Sequence, residues 1–259
     1  MTALFRATGP LLAFFLPLFV AAQQLPEARV AERNDNLWLV GAGQLRLTDK
    51  WSSYAEMQLR RADQGRKPQQ TVLRLAANYH LGQHFQLGAG ALYQKIYPYG
   101  QFAASESAPE HGFYQQVQVQ DVSGRVQLLH RYRLEQRWIR WPEANRFTYQ
   151  NRTRYQLGLL LPLLGPRLTT RMPYLIASDE ILVNFGRNAP NRFDQNRLYA
   201  GLGYTASKLV RLEAGYLNQL LQQRNGRVFE HNHTLQLSLL LNLDLRADAP
   251  MAAPLPPGY

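Results

Sequence analysis

Residues 125–138 read RVQLLHRYRLEQRW, and their alternation decides the fold. Val126, Leu128, Tyr132, Leu134 and Trp138 fall on one face of an extended chain, and Gln127, Arg131, Arg133, Glu135 and Arg137 on the other. A helix would mix the two sets around its circumference, whereas a strand, with its period of two, keeps them apart. The next segment repeats the pattern: in Phe147–Leu163, Tyr149, Tyr155, Leu157, Leu159 and Leu161 oppose Arg152, Arg154 and Gln156. Folded as a symmetric hairpin, the two segments set Glu135 opposite Arg152 and Arg133 opposite Arg154. A second hairpin over 185–193 brings Glu180 near Arg197. Cross-strand neighbours lie ~5 Å apart, close enough for bidentate pairing. One face therefore expects an apolar medium and the other a charged interior.

The same alternation runs from residue 37 to 243. Eleven segments carry it, near 37–47, 51–61, 71–81, 85–95, 112–120, 125–138, 147–161, 173–185, 195–205, 209–220 and 233–243. Their connections alternate between short turns (48–50, 82–84, 121–124, 206–208, with a Pro/Gly-rich turn at 162–171) and longer polar loops (62–70, 96–111, 139–146, 186–194, 221–232). On the apolar face, Trp51, Tyr79, Phe85 and Tyr204 sit beside short turns, and Tyr93, Trp138, Tyr149 and Phe185 at the long-loop ends. Aromatic rings bracketing an apolar band, with tight turns at one end and long loops at the other, mark an antiparallel transmembrane β-barrel of the outer-membrane type. Such barrels have an even strand number. The reading therefore expects twelve strands, or failing that ten, with 23–36 forming a first strand or a plug in the lumen.

Composition agrees. The formal charge is +11, and 25 of the 29 basic residues are arginine, the side chain suited to buried bidentate contacts. There is no cysteine, so disulfides, thiolate metal sites and a cysteine nucleophile are excluded. Residues 1–22, with Arg6, the apolar run Leu11–Val20 and small residues at 21–22, have the layout of a secretory signal peptide. A barrel domain follows over 37–245, then a Pro-rich tail over 246–259. Export argues against a nucleic-acid partner despite the basic charge.

The chain resembles the bacterial outer-membrane proteins grouped as domain-of-unknown-function 2490. The resemblance rests on LWLVGAGQLRLTDKWSSYAEMQLR (37–60), HRYRLEQRW (130–138), NRTRYQLGLLLPL (151–163), SDEILVN (178–184), FDQNRLYAGLGY (193–204) and AGYLNQ (214–219). It implies an outer-membrane barrel in a Gram-negative bacterium of the Bacteroidetes type. Outer-membrane lipid and the barrel-assembly machinery would then be its surroundings and partners. It implies no activity.

The candidate functional residues are the charges of the inner face: Arg60, Arg74, Arg131, Arg133, Glu135, Arg137, Arg152, Arg154, Glu180, Arg197, Arg211 and Glu213. They make either a salt-bridged filling that holds the barrel's shape or a surface for a small anionic solute, since arginine rings set anion preference. A lipid-modifying barrel enzyme is the alternative from another class. It would need a nucleophile, a base and an orienting group together. No G-x-S-x-G is present, and His130, mid-strand on the apolar face, has no serine among its expected neighbours. His231 and His233 beside Glu230 form a weak metal-binding pattern without a third ligand. The pairs Gly88/Gly90 and Gly201/Gly203 fall on the inner face and are read as making room beside the arginines. No cofactor or catalytic set is expected.

Overall fold

The computed structural model describes residues 29–144 and 146–246, and these form one closed β-barrel without helices. Its strands are β1 (Val30–Arg46), β2 (Trp51–Ala62), β3 (Lys67–Leu81), β4 (Phe85–Ile96), β5 (Ala108–Ser123), β6 (Val126–Ile139), β7 (Thr148–Pro162), β8 (Met172–Phe185), β9 (Phe193–Thr205), β10 (Val210–Gln222) and β11 (Val228–Asp244). Each strand pairs antiparallel with its neighbours in sequence, and β1 closes on β11.

The count is eleven, not twelve or ten. Alternating direction along an odd number of strands leaves the first and last running the same way, so the closing pair is parallel, from Val30↔Val228 to Arg46↔Asp244. The expected separate strand or plug over 23–36 is not formed by its described part. Residues 30–36 instead continue β1 and pair with 228–234, whereas β2 joins β1 only from Leu37 onward. The remainder of that segment, the leader 1–22 and the tail beyond Arg246 lie outside the described residues. Arg246 itself is tied back to Asp244 (2.6 Å) and Asp49 (2.8 Å).

Loop lengths differ from expectation at two places. The 63–66 connection spans four residues, no more than 47–50, because Lys67–Gln70 are drawn into β3. A bulge there, between Arg60↔Gln70 and Arg61↔Pro68, turns Gln69 inward, where it accepts a hydrogen bond from Trp38 Nε1 (2.8 Å). The 163–171 turn is long, and Leu168 folds back from it into the barrel.

The two faces sort as the alternation predicts. Most outward side chains from Leu39 on β1 to Leu243 on β11 are apolar and exposed, with Trp51, Phe85 and Tyr204 at one rim and Tyr93, Tyr149 and Phe185 at the other; the polar pairs Gln115–Gln136 and Asp179–Asn196 interrupt the band. The interior is layered. At the short-turn end Leu160, Leu168, Met172, Tyr174, Ile176, Tyr199 and Leu217 form an apolar core. Arginines and carboxylates fill the middle. A cavity of about 600 Å³ opens at the long-loop end.

Gly90, Gly201 and Gly203 make room for tyrosines, and Gly88 for Asn78 and Gln116, rather than for arginines. A Cβ on Gly203 would collide with the Tyr174 ring, and one on Gly90 with Tyr114. Bulky rings thus lie flat on the wall where it has no side chain of its own, which fills a lumen too narrow for both.

Candidate functional site

Four adjacent strands, β6 to β9, carry most of the charged layer, because their inner faces alternate in phase. The register sets Glu135 opposite Arg152, Arg133 opposite Arg154, and Glu180 opposite Arg197. Glu135 accepts from Arg152 Nε (2.7 Å) and Arg154 Nη1 (2.9 Å), with Arg133 at 3.9 Å. Glu180 accepts from Arg131 (3.0 Å) and Arg154 (2.7 Å), and more weakly from Arg197 (3.4 Å). Arg154 therefore bridges both carboxylates, and Arg152 extends the chain of ion pairs to Asp194 (2.9 Å).

Three carboxylates in this layer escape the sequence reading of the inner cluster. Glu56 is the ion-pair partner of Arg74 and accepts further hydrogen bonds from Gln58 (2.8 Å) and Tyr54 (2.5 Å). Glu110 binds Arg137 through both oxygens, at 2.5 and 2.7 Å. It was missed because β5 begins four residues earlier than its apolar alternation shows. Asp194 is the third. Arg133 leans on neutral partners, with two bonds to Gln116 (3.1 and 2.8 Å) and the Tyr114 ring 4.4 Å away.

Arg211 and Glu213 do not join this cluster. They lie at the short-turn end of β10, where Tyr174 donates to Glu213 (2.7 Å). The middle layer thus sets eight arginines (60, 74, 131, 133, 137, 152, 154 and 197) against five acids (56, 110, 135, 180 and 194). Apart from Asp194 at the vestibule edge, its side chains are shut away from solvent: Glu135 and Gln58 are 0 % exposed, Glu180 and Gln156 1 %, Arg154 2 %. A passage wide enough for water would leave accessible surface on the groups lining it. The layer closes the lumen.

Above it, the vestibule is floored by Trp38, Arg60, Arg74, Arg152 and Arg197 and bounded higher up by Phe102, Trp141 and Leu221. The 97–107 loop reaches across this mouth to the β1–β11 seam. Tyr99 Oη donates to Glu230 (2.6 Å), and the Gln101 amide donates to Glu32 (2.5 Å). Burial and the Glu230 carboxylate push the Tyr99 phenol well above its ordinary range, so it stays a donor. Gly100, at φ +77°, takes a left-handed backbone that side chains rarely adopt and lies against the Glu32 carboxylate.

A family profile described as "Protein of unknown function (DUF2490)" matches residues 35–230, which is most of this barrel. The chain belongs to that family. No curated protein and no solved structure matches it. The profile covers β2 to β10 whole, with most of β1 and the first residues of β11, so the charged layer is part of the family's own domain.

The remaining candidates separate in space. His130 points outward between Val119 and Leu157 and bonds to the Tyr155 hydroxyl (2.9 Å), with no serine beside it. His231 and His233 also point outward, His233 bonding to Tyr216, while Glu230 faces the lumen and cannot share a metal ion with them. A Ser–His contact that the sequence did not suggest joins Ser52 Oγ to His80 Nε2 (2.8 Å). Ser52 is buried and also accepts from Gln44 (3.0 Å), and among the described residues no carboxylate orients the other ring nitrogen. That contact ties β2 to β3 and lacks the third member a nucleophilic set needs.

Proposed function

We propose that the protein is a bacterial outer-membrane barrel whose lumen is closed, with a structural role or a small-solute role served by the vestibule rather than by free diffusion. The observation that carries this is the pairing of an apolar, aromatic-rimmed outer face with a sealed, ionic interior. Soluble monomers rarely expose continuous apolar patches beyond a few hundred Å², whereas here every strand presents large apolar side chains on the outer face. Hydrocarbon satisfies that face, and closure of the sheet leaves no edge strand whose backbone groups would lie unpaired in lipid. The leader-like 1–22 supports export, and the long-loop end is read as facing outward.

Arginine density favours an anionic solute over a cation. The single-channel record of the purified protein in a planar bilayer tests the closed state. Current at the leak level is expected at moderate voltage. Steady, ohmic, anion-selective conductance would mean that the middle layer does not seal the lumen.

A further inference from the structure

Two arginines on the vestibule floor carry charge that the barrel does not neutralise. Arg60 on β2 and Arg197 on β9 lie on the Trp38 indole, their guanidinium carbons 3.7 and 5.4 Å from its centroid. The hydrogen bonds of Arg60 all go to neutral amides: Nε and Nη2 to Gln58 Oε1 (2.9 and 2.6 Å), and Nη1 to Gln70 Oε1 (2.6 Å). No carboxylate pairs with it among the described residues. Arg197 reaches only the long edge of Glu180 at 3.4 Å, an acid already shared by Arg131 and Arg154, and places Nε on Gln195 (3.1 Å). Arg74, on the same floor, keeps Nε without a partner although the side chain is 3 % exposed.

Guanidinium does not deprotonate in proteins, so the surplus cannot be removed by loss of a proton. Eight arginines against five acids leave a surplus of positive charge in the middle layer, and Glu230, a further acid lining the vestibule, takes its hydrogen bonds from Tyr99, Gln223 and Asn232 rather than from an arginine. An uncompensated buried charge is destabilising, and a bound counter-anion relieves it. Arg60, Arg74 and Arg197 all line the vestibule, the cavity at the long-loop end of the lumen. A carboxylate offers two acceptor oxygens and one charge. A phosphate monoester offers three acceptors and about −1.5 to −2, which matches the donors and the surplus better.

We propose that Arg60, Arg197 and Arg74, packed around Trp38, bind the phosphate of a small organic phosphate monoester, with its apolar body against Phe102, Trp141 and Leu221. This deepens the reading of the vestibule as a solute chamber and rests on it. The wall above the arginines is apolar enough to hold a hydrocarbon or aromatic group, and the cavity of about 600 Å³ admits a molecule of that size. Trp38 packs against both guanidinium groups, and such stacking limits the entropy that flexible arginines otherwise lose on binding.

Calorimetric titration of the full chain in detergent micelles, with phenyl phosphate as the probe, tests the site. Phenyl phosphate is expected to bind more tightly than inorganic phosphate, and benzyl alcohol, which lacks the charge, is expected to give no heat. Arg60→Gln and Arg197→Gln should each weaken phenyl phosphate about tenfold or more, and Arg60→Lys should fall between, since it keeps the charge and loses the fork. Binding unchanged in both glutamine variants would overturn the assignment, and so would no binding to the wild type. If a variant does not fold, the wild type alone still decides: saturating phenyl phosphate should raise its urea midpoint by mass action, and a fixed midpoint counts against the site. A sealed barrel that ignores phenyl phosphate would sink only this site. A conducting barrel that binds it would sink the closed-lumen reading and leave the site standing.

Discussion

Glu135 and Glu180 are the residues on which the interior depends most. Each neutralises two or three arginines, and neither touches solvent. Replacing either by glutamine leaves several guanidinium groups buried without their counter-charge, which costs about 3–5 kcal/mol when the pair is fully desolvated. A wet, open layer would soften the same change to about 0–1 kcal/mol. Glu135→Gln and Glu180→Gln are therefore expected to lower the urea midpoint of the refolded barrel strongly, with the slope unchanged. A midpoint within error of wild type in both variants would mean that the layer is hydrated. These two pairings were legible in the sequence because folding each hairpin about the middle of its loop sets the facing residues to within a position. Glu56 was not read as the partner of Arg74. The bulge at Gln69 shifts β2 against β3 by one residue, and no local pattern announces a bulge of that kind.

At the scale of elements, the legible features were those that a two-faced environment forces. All eleven strands show in the alternation, because every one has an apolar side and a polar side within the same span. What lay hidden were the strand ends that rise above the apolar band. Residues 30–36 of β1, 67–70 of β3 and 108–111 of β5 carry polar groups or, at Pro68 and Pro109, prolines, so they read as loops. Here backbone pairing across the sheet, not side-chain burial, makes the strand. The strand count went wrong for the same reason, since the even-number rule needed a partner for a segment that was already part of β1. The parallel seam has a direct chemical consequence. Leu39 and Leu237 are register partners on the outward face, and the chain has no native cysteine. The double variant Leu39→Cys/Leu237→Cys should close to a disulfide under mild oxidation, because neighbouring strands bring Cα atoms within bridging range. A twelfth strand would separate the two positions by a further strand spacing and prevent the bond. Failure to crosslink, with each single variant folded, would contradict the eleven-strand closure.

On the scale of the whole molecule, the proposed membrane setting has the same chain face hydrocarbon outside and hold an ionic layer inside, and the two demands support each other. The outer face gains nothing from water, and a sealed interior denies water to the arginine–carboxylate layer. The long-loop end adds a chamber partly roofed by the 97–107 loop, whose attachment at Glu32 and Glu230 crosses the seam between the two terminal strands. Anything that binds in that chamber therefore touches the closure of the barrel as well as its charged floor. This links solute binding to barrel stability, as the midpoint shift with phenyl phosphate is meant to register.

The absence of cysteine makes the central claim measurable site by site. Single cysteines at Leu75, Leu134, Leu202 and Leu239, all outward at mid-strand, carry nitroxide spin labels in protein reconstituted into lipid vesicles, with Ser105 in the long loop as the aqueous reference. Power saturation then compares collisions with oxygen, which concentrates in hydrocarbon, and with a neutral nickel chelate, which stays in water. A membrane-spanning barrel predicts high oxygen and low nickel access at the four leucine sites and the reverse at Ser105. Nickel access at Leu75, Leu134, Leu202 and Leu239 equal to that at Ser105 would place the apolar face in water and contradict the account.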